Sequence, residues 1–145
     1  MICNNCLHTK TQVTNSRTHK KTPQVWRRRH CNNCNHSFTT YERVAIFDEI
    51  LVRKDDSEPT PFNPGILLLD LSESLAHSSP QAAHNAYWLT RSIEDDIIIV
   101  GGEITTKILK AKSHAALSRF DTLAGMQYAL KHQLFDKIKR PRPRS

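Results

Sequence analysis

Two short motifs limit what the first third of this chain can fold into. Cys3-Asn4-Asn5-Cys6-Leu7-His8 recurs almost unchanged as Cys31-Asn32-Asn33-Cys34-Asn35-His36, with 24 residues between the two cysteine pairs. These four cysteines are all that the chain contains. Within a Cys-x-x-Cys pair both sulfurs reach one ion, and two pairs complete the tetrahedral thiolate set that Zn²⁺ favours in closed structural sites. Asparagine in such turns tolerates left-handed backbone and leaves N–H groups free to point at sulfur. Disulfides or free thiols are the alternative, and a reducing compartment disfavours stable disulfides. The spacing therefore predicts one structural zinc ion on Cys3, Cys6, Cys31 and Cys34. It leaves no open position for catalytic water. His8, His19, His30 and His36 are rival ligands that the set does not need.

The metal also answers a stability problem. Residues 1–45 are polar, rich in Asn, Thr, Arg and His, and nearly lack aliphatic side chains, so they cannot build a core unaided. From Val44 onward the character changes. Val44 to Lys54 reads as one or two β-strands, and three prolines between Asp55 and Pro64 interrupt regular structure. Asn63-Pro64 is a helix start, followed by an amphipathic helix with Leu67, Leu68, Leu71 and Leu75 on one face. A second helix is expected from about Ala82 to Ile99, ended by Gly101-Gly102. A third runs from Thr105 or Thr106 to about Lys112, and a fourth from Ala115 to Phe135. The last residues, 137–145, carry five basic side chains and two prolines and should form a disordered tail. The expected class is α+β: a small antiparallel N-terminal zinc ribbon (residues 1–45) followed by a mostly helical unit (46–136).

Charge is distributed in blocks. Residues 1–45 hold eight basic residues and one acid, residues 46–136 hold eight basic and thirteen acidic ones, and the tail is basic again. A basic module beside an acidic one points to a polyanionic partner. Arg27-Arg28-Arg29 follows Val25-Trp26 directly before the second cysteine pair. On a strand, Trp26 and Arg28 would share one face, and Arg27 and Arg29 the other. Guanidinium groups bind phosphate bidentately and read guanine edges, and Arg17, Lys20 and Lys21 lie nearby in sequence. Nucleic-acid binding is therefore expected, with a solvated charged face as the alternative. Charge alone does not select the nucleic acid.

The same residues resemble a known family, the NrdR transcriptional repressors of ribonucleotide reductase genes. The family's Met-x-Cys-x-x-Cys opening is present, and its Val-x-Asp-Ser-Arg motif is matched by Val13-Thr14-Asn15-Ser16-Arg17. Its arginine cluster is matched by Arg27-Arg28-Arg29-His30-Cys31, and its Arg-Phe-Thr-Thr-x-Glu-Arg by Ser37-Phe38-Thr39-Thr40-Tyr41-Glu42-Arg43. Asn15 and Ser37 are the departures. The resemblance implies double-stranded DNA as partner, with Arg17, Lys20, Lys21, Trp26, Arg27, Arg28, Arg29 and Arg43 as contacts. It also implies that the helical unit is an ATP-cone, a domain that binds ATP or dATP and controls homo-oligomer assembly. Leu51-Val52-Arg53-Lys54-Asp55 and Leu117-Ser118-Arg119-Phe120 resemble the cone's motifs, so Val52, Arg53, Lys54 and Arg119 are the implied nucleotide contacts. Asp56, Ile66, Leu117 and Ala124 stand where the cone has a glycine, a lysine and two tyrosines.

Three functions follow as expectations. The first is a zinc-dependent DNA-binding repressor whose oligomerisation and DNA binding respond to (d)ATP. The second is a constitutive zinc-ribbon nucleic-acid-binding protein whose cone serves only for oligomerisation. The third, an enzyme or a regulatory piece of one, finds no support: there is no Walker motif, no carboxylate metal pair, and no thiol left over once zinc is bound. No apolar run approaches 18 residues and no secretory signal opens the chain, so a cytoplasmic protein without membrane contact is expected.

Overall fold

A computed structural model describes residues 1–135; the expected basic tail, 137–145, lies outside them. Three strands, β1 (Gln12–Thr18), β2 (Gln24–His30) and β3 (Ser37–Arg43), form an antiparallel sheet in the order β1-β2-β3. A bulge at Thr14 shifts the β1–β2 register between Val13 and Asn15. Almost nothing apolar is buried in this sheet. Its only cluster among the described residues is Cys3, Cys31 and Phe38, with Cys6 and Cys34 packed against it. The thin core matches the expectation that the sheet cannot be held by burial.

After Arg43 the chain enters a short helix α1 (Ile46–Glu49), then β4 (Leu51–Arg53) and β5 (Thr60–Pro61). α2 (Pro64–Ser74) begins with Asn63 accepting the Gly65 N–H at its cap and proline in the first turn. It passes through a 3₁₀ turn into α3 (Ala82–Val100). Gly101, at φ 73°, ends α3 and turns the chain into β6 (Glu103–Thr105), α4 (Thr106–Phe120) and α5 (Thr122–Lys131). β4 pairs antiparallel with β5 and parallel with β6. Leu67 and Leu71 from α2, Leu75 at its C-terminal cap, Ile93 and Ile97 from α3, Leu117 from α4 and Tyr128 from α5 meet Ile50, Phe62 and Ile104 in one core. The class is α+β, an antiparallel sheet with a cysteine cluster followed by a mostly helical region.

Two expected elements differ. The apolar stretch after Val44 is not one continuous β region, because Ile46 to Glu49 coil into one helical turn that buries Ile46. The expected helix break near Ser113 is absent. Ser113 is fully buried and its hydroxyl donates back to the Leu109 carbonyl at 2.9 Å, so α4 continues. The break falls at Asp121, whose extended backbone ends α4 and whose carboxylate accepts the Ala124 N–H at 3.0 Å to cap α5.

Candidate metal centre and nucleic-acid interface

The repeated motif builds two equivalent turns. Leu7 N–H donates to the Cys3 carbonyl at 3.0 Å, and Asn35 N–H to the Cys31 carbonyl at 2.8 Å. Cys3 and Cys31 N–H close the two turns on the His8 and His36 carbonyls, both at 2.9 Å. The residue after each second cysteine is left-handed, Leu7 at φ 57° and Asn35 at φ 58°. The repeat in sequence is therefore a repeat in backbone, which brings four sulfurs to one point.

All four Sγ atoms lie within 4.8 Å of one another. Cys3–Cys34 and Cys6–Cys31 are each 3.7 Å apart. A tetrahedron with Zn–S bonds of about 2.3 Å has edges of about 3.8 Å, so the cluster fits such an ion. The two turns also support each other. Asn5 Nδ2 donates to Cys34 Sγ at 3.6 Å, and Asn33 Nδ2 donates to Cys6 Sγ at 3.5 Å. The Asn33 amide, followed by a backbone hydrogen bond at His8, pulls the Cys6 thiol down to about 6. Burial pushes Cys31 up to about 11. A bound cation relieves the cost of ionising Cys31, while the asparagine amides stabilise the thiolate form. The spacing identified the ligands; the crosswise asparagine amides were missed, although both lie inside the repeated motif.

The sheet carries the basic residues on two faces. Arg17, Trp26 and Tyr41 stand in one in-register row across β1, β2 and β3, and Asn15, Arg28 and Thr39 form the next row on the same face. Lys20 and Lys21 sit on the turn between β1 and β2, which His19 N–H closes on the Gln24 carbonyl at 3.0 Å. Arg17, Lys20, Lys21 and Arg28 are exposed, and Trp26 is half-buried. Arg17, Lys20, Lys21, Trp26 and Tyr41 line one open cavity of about 560 Å³. The opposite face holds Arg27, paired with Glu42 at 2.8 Å, and Arg29, whose Nε donates to Thr40 Oγ1 at 3.1 Å. Tyr41, opposite Trp26, was not among the expected contacts, and pairing β2 with the motif at 37–43 is the signal that would have found it.

Arg43 stands apart from the other expected DNA contacts. Its guanidinium is nearly buried, ion-paired with Asp95 and, at 3.6 Å, with Glu94 on α3. In this arrangement it ties the sheet to the helical region instead of facing a phosphate.

The expected nucleotide contacts do not converge. Val52 is half-buried in β4 and lines a cleft of about 220 Å³ with Phe62, Asp70, Leu109, Lys110 and His132. Arg53, beside it, is held by Glu103 on β6 through two contacts of 2.5 and 3.0 Å. Lys54 is exposed just beyond the strand. Arg119 is in the last turn of α4, whereas the cleft is formed by that helix's first turn at Thr106 and Lys110. At 1.5 Å per residue this puts Arg119 roughly 20 Å along the axis from Thr106. Lys110, at the cleft, was missed; it lies one helical turn after the Thr105 cap of α4, which is the signal that would have suggested it.

Comparison with known proteins agrees with this layout. The family model described as "Transcriptional repressor NrdR-like, N-terminal domain" matches residues 1–42. The chain is 32% identical over 140 residues to a protein named transcriptional repressor NrdR from Thermus thermophilus, covering 97% of this chain and 89% of the relative. A protein of the same name from Deinococcus radiodurans is 31% identical over 141 residues, covering 97% and 87%. Another, from Herminiimonas arsenicoxydans, is 28% identical over 144 residues, covering 95% and 88%. No helix among the described residues is long and apolar enough to cross a membrane.

Proposed function

The chain belongs to the NrdR family of transcriptional repressors, and from that membership we propose that it represses transcription by binding double-stranded DNA through the zinc-held sheet. The observation that carries this reading is the exposed basic face. Arg17, Lys20, Lys21 and Arg28 project around Trp26 from a sheet whose rigidity comes from Cys3, Cys6, Cys31 and Cys34. When bound, Zn²⁺ would supply the folding energy that the sheet lacks, on the order of 10–16 kcal/mol in comparable peptides. The cations bind phosphates, and Arg28 or Arg17 can read a guanine edge. Arg27 and Arg29 on the reverse face act more as supports for β3 than as contacts.

The relatives are named transcriptional repressors, which supports a regulator as this chain's role. The cone-like region serves as the assembly scaffold in this reading. Leu123, Met126 and Leu130 are exposed at three- and four-residue spacing on α5, a stripe suited to a second copy of the chain. The targets, from the family, are operators of ribonucleotide reductase genes, and the setting is the cytoplasm. The test is DNA binding by the zinc-loaded protein to such promoters against random duplex of equal length. Equal affinity for both would refute sequence-specific repression.

A second reading, control by ATP or dATP, rests on the cleft that joins Val52, Phe62 and Lys110. Three features favour the scaffold over it: Arg53 is already paired with Glu103, Asp70 brings a carboxylate to the cleft, and Arg119 lies far along α4. The cleft is also smaller than the 300–1,000 Å³ usual for small-molecule sites. Calorimetric titration of nucleotide into the zinc-loaded protein separates the two readings. Sub-millimolar binding supports the sensor, and neither heat nor thermal shift supports the scaffold.

A further inference from the structure

The basic face of the sheet does not end at β3. Tyr41 lines the cavity around Trp26 and also a second cavity of about 420 Å³, whose far wall is α3 with Tyr87, Trp88 and Arg91. Gln24 is the other residue common to both cavities, so the two adjoin across Gln24 and Tyr41 and together make a groove from the sheet to the helix. Four aromatic rings lie along it, and three are well exposed: Tyr41 at 61%, Tyr87 at 47% and Trp88 at 59%. Trp26 and Trp88 are the chain's two tryptophans. Trp88 is held by its edges: its Nε1–H donates to His84 Nε2 at 3.1 Å, and the Tyr87 ring meets it at 76° with centroids 5.2 Å apart.

Exposed aromatic rings on a helix are costly to keep in water, and here none is absorbed into the core. The groove is also positive. Arg17, Lys20 and Lys21 rim one end, and Arg91, which also pairs with Glu94 at 3.0 Å, rims the other. Among the described lining residues Asp95 is the sole carboxylate, and Arg43 neutralises it. Cations tracking a backbone beside sequential aromatic faces are the chemistry that holds unpaired nucleotides. A closed duplex cannot use it, because its bases are already stacked on one another.

We infer that this groove is a binding site for unpaired DNA bases, and that Tyr87, Trp88 and Arg91 of α3 extend the interface of the sheet. The inference rests on the reading of the sheet as a DNA-binding element. A duplex lying on Arg17, Lys20, Lys21 and Arg28 delivers a melted or flipped segment into the slot between Trp26, Tyr41 and Trp88. The Arg43 ion pairs with Glu94 and Asp95 hold α3 at the edge of that slot. DNA that is locally open is therefore bound more tightly than the same DNA fully paired.

The test uses the zinc-loaded full chain and four probes: a short duplex, the same duplex with a central mismatched bubble, oligothymidylate and oligouridylate. Trp26 also sits on the face that meets duplex, so occupation of the groove is read as the quenching that the bubble adds over the closed duplex and that Trp88→Ala removes. The bubble should bind at least about fivefold more tightly than the closed duplex, as expected for one stacked base, and should quench tryptophan emission. Trp88→Ala should abolish that preference and leave closed-duplex affinity unchanged, while Trp88→Phe retains most of it. Far-UV circular dichroism checks that the exposed substitution leaves the fold intact. Duplex binding with no preference for the bubble and no added quenching overturns the groove and leaves the sheet's role standing. Failure to bind any DNA overturns both. Tighter binding of oligouridylate than oligothymidylate overturns DNA as the occupant, and a changed oligomeric state in Trp88→Ala with the bubble preference intact assigns the surface to a second copy instead.

Discussion

Replacing Arg43 by methionine removes a charge and keeps most of the apolar stem. Glu94 is then left in the helical region with its side chain 5% exposed, and only Arg91, at 3.0 Å, still faces it. Burial already holds the Glu94 carboxyl above the usual carboxylate range, with Arg43 opposing the rise and Asp95 adding to it. Breaking a buried pair costs about 3–5 kcal/mol. Protonation caps that cost, because Glu94 can bind a proton instead of remaining charged. From an ordinary glutamate value of about 4.3, neutralisation costs about 4 kcal/mol at about pH 7.5 and about 1 kcal/mol at about pH 5. Arg91 remains in place, so Arg43→Met should lose about 3 kcal/mol near pH 7.5. A raised folded-state value means that the folded chain takes up the proton first, so the penalty shrinks as pH falls and is gone below the unfolded value. Urea unfolding followed by helix ellipticity at both pH values measures this, and adding Glu94→Gln should recover much of the loss at the higher pH. A variant as stable as the parent but weaker on DNA would show that Arg43 contacts the nucleic acid, and the structural reasoning would fall.

Other outcomes follow from single contacts. Arg28→Ala should lower the salt dependence of DNA binding by about one unit of slope, whereas Arg27→Ala, already paired with Glu42, should change it little. Asp121 is held below the usual carboxylate range by the Ala124 N–H and then by His77, so its contribution is lost as pH falls through that depressed value. Asp121→Asn keeps the helix cap and should flatten the acid limb of the stability profile, read by thermal melts across pH. In Gly125→Ala the new Cβ would lie 2.9 Å from Ser118 Cα where α4 and α5 meet. Overpacking of about 1–3 kcal/mol then outweighs a gain in helix propensity of about 1 kcal/mol, and the urea midpoint should drop.

What the sequence made legible was local. The cysteine spacing alone names four ligands, and Asn63-Pro64 and Gly101 mark helix ends because capping is short-range chemistry. Hidden features depend on residues distant in the chain. Arg43 reads as one more cation of a basic segment until Glu94 and Asp95, some 50 positions later, are placed against it. Arg53 looks available for phosphate until β6 brings Glu103 alongside. The break between α4 and α5 lies at Asp121 and not between Lys112 and Ala115, because burial of Ser113 outweighs the weak helix propensity of Ser113 and His114. Asp121 is itself a capping residue type, and it accepts the Ala124 N–H at the start of α5. The groove needed both Tyr41 and Trp88, which no pattern along the chain connects.

A sheet held by metal should lose its DNA binding together with its zinc. Zinc content and duplex binding are followed together through chelation under reducing conditions and through zinc readdition. Near-stoichiometric zinc should leave with loss of DNA binding, while most helical ellipticity persists, and both should return on readdition. Full DNA affinity in the zinc-free protein, or purified protein without zinc, would contradict the account.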